Sequence, residues 1–485
     1  MTEHTVKHPG QLGDALMCDY YHLLMGQSWF HSDMADKFKS SEAFVRAAPF
    51  GGQYYIAAGQ GPFLEFVKNW SFTDHDIDFL RQTGDFAEDF LQALQNSKLQ
   101  IDVYAPNEGE LMFPNQPAFR VSGPSWQVEM MEGALLNIFN SQSLIATKAS
   151  RMKHAAAIDG ANRPLIEMGL RRTQEMGGVY TARAAYIGGA DFTSNVRAAQ
   201  KWGITPKGTM SHAFVQSFND ELASFKAALK SSASTLLLID TYDIRTGIHN
   251  AIAASRETGV PLYGTRIDSG DLAYWYHQQR EIFGQAGMPD VKLCASNDLD
   301  EHTITDLVAV QGAKYDMFGA GTKLITAYDQ PSLGGVFKTK YFDGVDKIKI
   351  ADGKTTIPGV TNVVRILNDD GTYAGDIIVP RTTGWVDSGA LLQRITSVGS
   401  ESAVMFEKGT KAYSLLHQVV HNGRVLAKDK PLADVKAFAH KSLGRLDPAY
   451  KRFMNSHRYR VGIEESLYQK QQQMKKQGGK HESSR

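Results

Sequence analysis

Thr235-Leu236-Leu237-Leu238-Ile239-Asp240-Thr241-Tyr242-Asp243 is an apolar run of strand length that breaks into polar residues, and a helical stretch through Ala254 follows it. The pattern repeats at once. Pro261-Leu262-Tyr263-Gly264-Thr265-Arg266-Ile267-Asp268 leads through Ser269-Gly270-Asp271 to a helical stretch ending at Phe283. Val291-Lys292-Leu293-Cys294-Ala295-Ser296 leads through Asn297-Asp298 to another, ending at Val310. Tyr315-Asp316-Met317-Phe318 then runs into Gly319-Ala320-Gly321-Thr322. Working upstream, Pro164-Leu165-Ile166-Glu167-Met168-Gly169 precedes Leu170-Arg171-Arg172, and a weaker run, Ala185-Tyr186-Ile187-Gly188-Gly189, precedes Asp191. Trp202-Gly203-Ile204-Thr205-Pro206 precedes Gly208-Thr209-Met210-Ser211-His212, after which one long helix is expected over residues 213–229. Short apolar strands alternating with amphipathic helices predict an α/β fold with a parallel sheet. Roughly seven such units suit an irregular (βα) barrel, with a doubly wound open sheet as the alternative.

In each unit the polar residues fall just after the strand. Arg171, Asp191, Thr209, His212, Asp240, Asp243, Arg266, Asp268, Ser296, Asn297 and Thr322 are all so placed. A parallel sheet gathers its strand C-termini on one rim, where barrels and open sheets carry their ligands. Arginines there can grip a carboxylate or phosphate, and paired acids can hold Mg²⁺. Phe318-Gly319-Ala320-Gly321-Thr322-Lys323 offers amides, a hydroxyl and an ammonium to a phosphate monoester. It lacks both the Gly-Lys-Ser/Thr ending of a P-loop and the third glycine of a dinucleotide fingerprint. His212, taken alone, reads as an exposed residue in the first turn of a helix capped by Ser211. Beside an anion site, an imidazole can instead be a base, a proton donor or a phosphate acceptor.

The flanks differ in character. Residues 1–140 read as an N-terminal α+β domain, with strands near 44–59 and 100–130, helices over 60–98, and a cap at Thr73. Residues 141–340 carry the repeat, introduced by a long helix from about Val128 past Arg151. Residues 341–467 form a strand-rich and then helical C-terminal region, and the Gln/Lys-rich residues 468–485 read as a disordered tail. Fifty-two basic residues balance 52 acidic ones, so no bulk field favours nucleic acid or an anionic membrane. Two distant cysteines, Cys18 and Cys294, give neither a zinc spacing nor a disulfide framework. No signal peptide or membrane-length apolar run is evident, and a cytoplasmic protein is expected.

Eight motifs in order carry a resemblance: Asp19-Tyr20-Tyr21-His22, Pro49-Phe50-Gly51-Gly52, Gln142-Ser143-Leu144-Ile145-Ala146-Thr147-Lys148, Glu167-Met168-Gly169-Leu170-Arg171-Arg172, Gly208-Thr209-Met210-Ser211-His212, Asp240-Thr241-Tyr242-Asp243, Arg266-Ile267-Asp268-Ser269-Gly270-Asp271 and Phe318-Gly319-Ala320-Gly321-Thr322. Over about residues 15–340 the chain resembles the nicotinate phosphoribosyltransferases, which are type II phosphoribosyltransferases. The resemblance implies transfer of a phosphoribosyl group from 5-phosphoribosyl-1-diphosphate to nicotinate, giving nicotinate mononucleotide and diphosphate for NAD salvage. It implies ATP coupling through phosphorylation of His212, a need for Mg²⁺, and catalytic roles for Asp240 and Asp268. Tyr21, Arg171, Thr209 and Arg266 would bind nicotinate. Ser296, Asn297, Gly319, Gly321 and Thr322 would bind the phosphoribosyl group. Tyr21 would stack on the base from a neighbouring subunit, which implies a homodimer with shared sites.

Two departures bear on this. His22 stands where the family usually has glutamine, and Met168 where nicotinamide-using relatives have phenylalanine. Loss of that aromatic face favours nicotinate over nicotinamide. A decarboxylating, quinolinate-type transferase would need more basic residues, and a non-catalytic phosphosugar-binding barrel is the alternative outside enzymes.

Overall fold

The computed structural model describes residues 14–175, 177–351, 354–381, 395–397, 403–404 and 410–478. They form two compact units: the described parts of Met1–Leu144, Ser332–Pro431 and Ala437–Arg485 in one, Ile145–Pro331 with Leu432–Lys436 in the other.

The second unit is built on a parallel sheet. Its strands, labelled in chain order, are β1 (Leu165–Glu167), β2 (Phe192–Thr193), β3 (Leu236–Leu238), β4 (Gly264–Ile267), β5 (Lys292–Ala295) and β6 (Met317–Ala320). The spatial order is β2-β1-β6-β5-β4-β3, with every neighbouring pair parallel. The expected strand at residues 202–206 is absent. Its Trp202 ends the helix Val196–Trp202, and only an isolated parallel bridge joins Thr193 to Pro206 beside β2. Read as a ring, each segment therefore lies beside its successor except between Pro206 and β3. Among the described residues no ladder bridges that gap, so hydrogen bonding forms an open arc of six strands rather than a closed barrel of seven units.

Local chemistry explains two further differences. Residues 185–189 lie in or just beyond the helix Gly177–Gly188, because the alanines at 182, 184 and 185 favour a helix. The long helix expected after His212 is broken into His212–Gln216 and Glu221–Ser231. Ser217 Oγ donates to the Phe214 carbonyl at 2.7 Å, and Asp220 caps the second helix through the Ala223 N–H at 2.7 Å. Close packing holds the strand ends. Gly247 of the helix Ile244–Thr258 lies so near the end of β3 that a Cβ would be 2.1 Å from the Ile239 carbonyl oxygen.

The other unit joins sequence-distant segments. Its seven-stranded sheet runs Val345–Asp346, Gly335–Phe342, Phe38–Val45, Pro117–Pro124, Asp102–Ala105, His417–His421, Arg424–Val425, all antiparallel. A second, six-stranded sheet joins Ala403–Val404, Ile395–Ser397, Val461–Glu464, Tyr373–Pro380, Thr361–Leu367 and Ala412–Ser414. Arg365, fully buried, binds Asp376 at 2.8 Å and Glu110 at 2.6 Å, so both its charge and its donors are answered within the core. Helices Gln60–Asn69, Asp74–Thr83 and Glu88–Gln95 appear as expected, with a capping box at Thr73. The last helix, Glu465–Lys476, occupies much of the stretch expected to lack structure, and Leu467 and Gln471 anchor it. Residues 479–485 lie outside the described residues. No described helix is long and apolar enough to cross a membrane.

Candidate functional site

The sheet brings residues from four strand ends into one connected group. At the end of β3, Asp240 is 8% exposed. Its Oδ2 accepts from the Asp268 N–H at 2.8 Å and from Ser269 Oγ at 2.7 Å, which ties β3 to the end of β4. Asp268 Oδ1 in turn accepts from Ser296 Oγ at 2.9 Å, which reaches the end of β5. Gly319 of β6 closes the row. A Cβ there would lie 2.9 Å from Met168 Sδ and 3.1 Å from Ser296 Cβ, so only glycine lets these chains approach. Asp240 Oδ1 is buried without a hydrogen-bond partner. A buried carboxylate oxygen left so is costly unless a ligand answers it.

The loop before His212 joins the same group. Arg266, inside β4 rather than after it, donates from Nη2 to the Met210 carbonyl at 3.2 Å, and its buried Nε has no partner. Thr209, partly buried, sits beside that carbonyl. Ser211 caps the helix His212–Gln216 by accepting from the Phe214 N–H at 3.4 Å. His212 Nδ1 lies 3.1 Å from Thr241 Oγ1, next to Asp240. Nε2 has no hydrogen-bond partner among the described residues. Burial raises the pKa of Glu221, and the carboxylates of Asp243 and Asp240 raise it further, so several acids share this end of the sheet.

Arg171 lies in the exposed turn Leu170–Arg172 after β1, with no ion-pair partner among the described residues. Two short contacts shape that turn. Buried Glu167 accepts from the Gly169 N–H and, at 2.5 Å, from Thr193 Oγ1; burial raises its pKa despite both bonds. Gly169 leaves room for the helix Thr322–Ile325, since a Cβ would be 2.6 Å from Ile325 Cβ. Gly321 and Thr322 are both half-buried beside it, and a Cβ on Gly321 would meet nothing nearer than the Met168 carbonyl oxygen at 3.7 Å. Asn297 is half-buried after Ser296, and no side-chain bond ties it to the row.

Two expectations need correcting. Asp191 precedes β2 and is not on the rim: its carboxylate takes Lys153 Nζ at 2.8 Å, Lys436 Nζ at 2.9 Å and the Leu165 N–H at 3.0 Å, all at the start of β1. Lys323 offers no unpaired ammonium to a phosphate, because its Nζ binds Asp300 Oδ2 at 2.8 Å.

That pair has a measurable consequence. Burial would raise the pKa of Asp300, but bonds from Lys323 and the Thr303 N–H outweigh it and hold the group at about 2. The folded pKa lies below the unfolded one, so the stabilisation is complete above about pH 4 and is lost as pH falls through about 2. Its expected size is roughly 2 kcal/mol. Asp300→Asn keeps a helix-capping oxygen for the Thr303 N–H, but removes the charge and puts an amide nitrogen where Oδ2 accepts from Lys323. Unfolding free energies measured from pH 6 to pH 2 should therefore lose this component of the acid limb in the variant, and an unchanged limb would refute the assignment.

Sequence reasoning gave no role to Thr241, Ser269, Glu167 or Thr193. The first two are hydroxyls at strand ends, the signal that singled out Thr209 and Ser296. Tyr21 belongs to the other unit, where it is 47% exposed at the start of the helix Tyr20–Phe30. Neither cysteine is a candidate nucleophile, since burial pushes both thiols up to about 12.

Comparison with known proteins assigns the chain a family. Residues 16–140 match the nicotinate phosphoribosyltransferase N-terminal domain, 165–358 the nicotinate phosphoribosyltransferase family, and 361–471 its C-terminal domain. Nicotinate phosphoribosyltransferase of Bacillus subtilis is 37% identical over 472 residues, covering 95% of this chain and 94% of the relative. The Bos taurus enzyme of that name is 31% identical over 518 residues, covering 93% and 95%. The crystal structure of human nicotinic acid phosphoribosyltransferase superposes with a TM-score of 0.82 at 26% identity, covering 94% of this chain and 99% of that one. Matched along nearly its whole length, the chain belongs to the nicotinate phosphoribosyltransferase family.

Proposed function

We propose that this chain is an ATP-coupled nicotinate phosphoribosyltransferase, making nicotinate mononucleotide and diphosphate from nicotinate and 5-phosphoribosyl-1-diphosphate for NAD biosynthesis. The observation that carries the reading is the linked row Asp240, Asp268 and Ser296, with His212 and Arg266 attached to the same strand ends.

The pyridine nitrogen of nicotinate already has a lone pair, so the protein needs no strong base. Its tasks are to align that nitrogen with the ribosyl carbon and to stabilise the departing diphosphate. Arg171 and Arg266 bring guanidinium donors that suit a carboxylate, and Thr209 lies beside Arg266. Gly321 and Thr322, with Ser296, Asn297 and Gly319, form the phosphoribosyl side. The unpartnered Asp240 Oδ1 and the neighbouring Asp268 are oxygen donors of the kind Mg²⁺ selects, so the residues fit that ion. Bound there, Mg²⁺ would supply positive charge to the diphosphate oxygens. His212, whose Nδ1 is engaged by Thr241, would take the phosphoryl group from ATP, releasing ADP.

Tyr20, Tyr21 and Leu24 are all exposed on one helix, which supports a homodimer in which Tyr21 serves the partner's site. Met168, packed against Gly319, supplies no aromatic face for a nicotinamide ring and so supports specificity for the acid. The deciding measurement is diphosphate release with nicotinate, 5-phosphoribosyl-1-diphosphate, Mg²⁺ and ATP, with nicotinamide in competition. Release that needs nicotinate and rises with ATP is expected. No release would turn the reading toward a phosphosugar-binding protein, and an equal rate with nicotinamide would overturn the specificity.

A further inference from the structure

His22 is fully buried one residue after Tyr21, and its ring centroid lies 4.1 Å from that of Tyr21. Its Nδ1 accepts the N–H of Asp19, the residue preceding the helix Tyr20–Phe30, at 3.1 Å. Glutamate or glutamine usually makes this return bond from the third helical position. An Nδ1 that accepts places the ring proton of a neutral imidazole on Nε2. Nε2 is 3.7 Å from Glu132 and without a hydrogen bond.

The same tautomer argues against a metal site. His22, Glu129 and Glu132 present ligand atoms within 4.8 Å of one another, but Nε2 carries the proton and the Lys39 ammonium already sits on Glu129.

We infer that His22 is the positioning residue for Tyr21, holding the first helical turn by an acceptor nitrogen that acid can remove. The inference rests on the proposed role of Tyr21 in binding nicotinate. The charged and titratable groups around the ring are Glu129 and Glu132 from the helix Ser125–Ala156, Lys39 from the strand Phe38–Val45 through Glu129, and Cys18, Asp19 and Tyr21 from its own segment. In acid a second ring proton can go only to Nδ1, where it faces the Asp19 N–H and breaks the bond. The turn carrying Tyr21 then opens.

Three enzymes decide the matter: the full chain, His22→Gln and His22→Ala. In the wild type, KM for nicotinate should rise on acidification while kcat changes far less. His22→Gln keeps an acceptor without a titrating ring, so it should match the wild type at pH 8 and lose the acid rise. His22→Ala should show a KM raised at every pH by about fivefold, the equivalent of the ~1 kcal/mol that a lost cap costs. A merely structural residue would lower the melting temperature in the alanine variant but leave the pH dependence of KM in the glutamine variant as it was. An acid rise that persists in His22→Gln, or an unchanged KM in His22→Ala, would overturn the inference. A wild-type enzyme that forms no nicotinate mononucleotide would instead overturn the proposed function. Nitrogen-15 shifts of the His22 ring at pH 8 then still test the tautomer, and a proton found on Nδ1 ends the inference whatever the activity.

Discussion

His212→Ala is expected to abolish the stimulation of nicotinate mononucleotide formation by ATP while slow, uncoupled transfer continues. Among the described residues the His212 ring hydrogen-bonds only to Thr241, and that bond is partly exposed. Its removal should cost about 1 kcal/mol of stability, too little to unfold the chain. The residues proposed to bind nicotinate and the phosphoribosyl group keep their own contacts, so uncoupled turnover should stay within about fivefold of the wild-type rate without ATP. What disappears is the imidazole that would carry the phosphoryl group, and with it the added negative charge and acceptor oxygens beside the ribose. The check is the ratio of ADP formed to nicotinate mononucleotide formed, together with acid-labile phosphate on the protein after incubation with ATP. A variant that still couples the two reactions removes His212 from the mechanism.

Asp240→Asn should lower kcat/KM by about 10²–10³-fold, the usual cost of losing one charge-stabilising group at a reacting centre. The side chain keeps its shape, and one oxygen remains to accept from the Asp268 N–H or from Ser269. The negative charge is lost, and the amide nitrogen takes the place of an oxygen. If the buried, unpartnered Oδ1 faces Mg²⁺, the variant should also need more Mg²⁺ to reach half its maximal rate. A matching loss in thermal stability would instead mark Asp240 as a brace between strand ends. Full activity at ordinary Mg²⁺ would exclude it from the site.

Much of this site could be read along the chain because a parallel sheet turns a local signal into a spatial one. Leu236–Leu238 followed by Asp240, and Gly264–Ile267 followed by Asp268, each state their place on the rim within eight residues. The sheet then does the gathering. What is not legible along the chain falls into three cases. An alanine-rich run with Tyr186 and Ile187 can be read as strand or helix, and the helix it forms leaves Asp191 before β2 rather than on the rim. The pairing of Lys323 is invisible locally because its partner, Asp300, lies 23 positions away with no pattern linking them. The pairing of Phe38–Val45 with Gly335–Phe342 is similar in kind: strand propensity marks each segment, and nothing local says that they meet. His22 shows a third case. It stood out as a departure from the usual glutamine, but only the Asp19 N–H at 3.1 Å reveals that the ring does the amide's task.

The interior place of Phe38–Val45 in its sheet carries a cost during biosynthesis. One neighbour, Pro117–Pro124, leaves the ribosome soon after it, but the other, Gly335–Phe342, follows roughly 290 residues later. At about 5–20 residues per second the first strand waits on the order of 15–60 s with one edge bare. A nascent chain with an unpaired strand edge is a substrate for chaperones and a seed for aggregation. Slowed translation between these segments should therefore depress the yield of active enzyme more than the stability of the finished protein suggests.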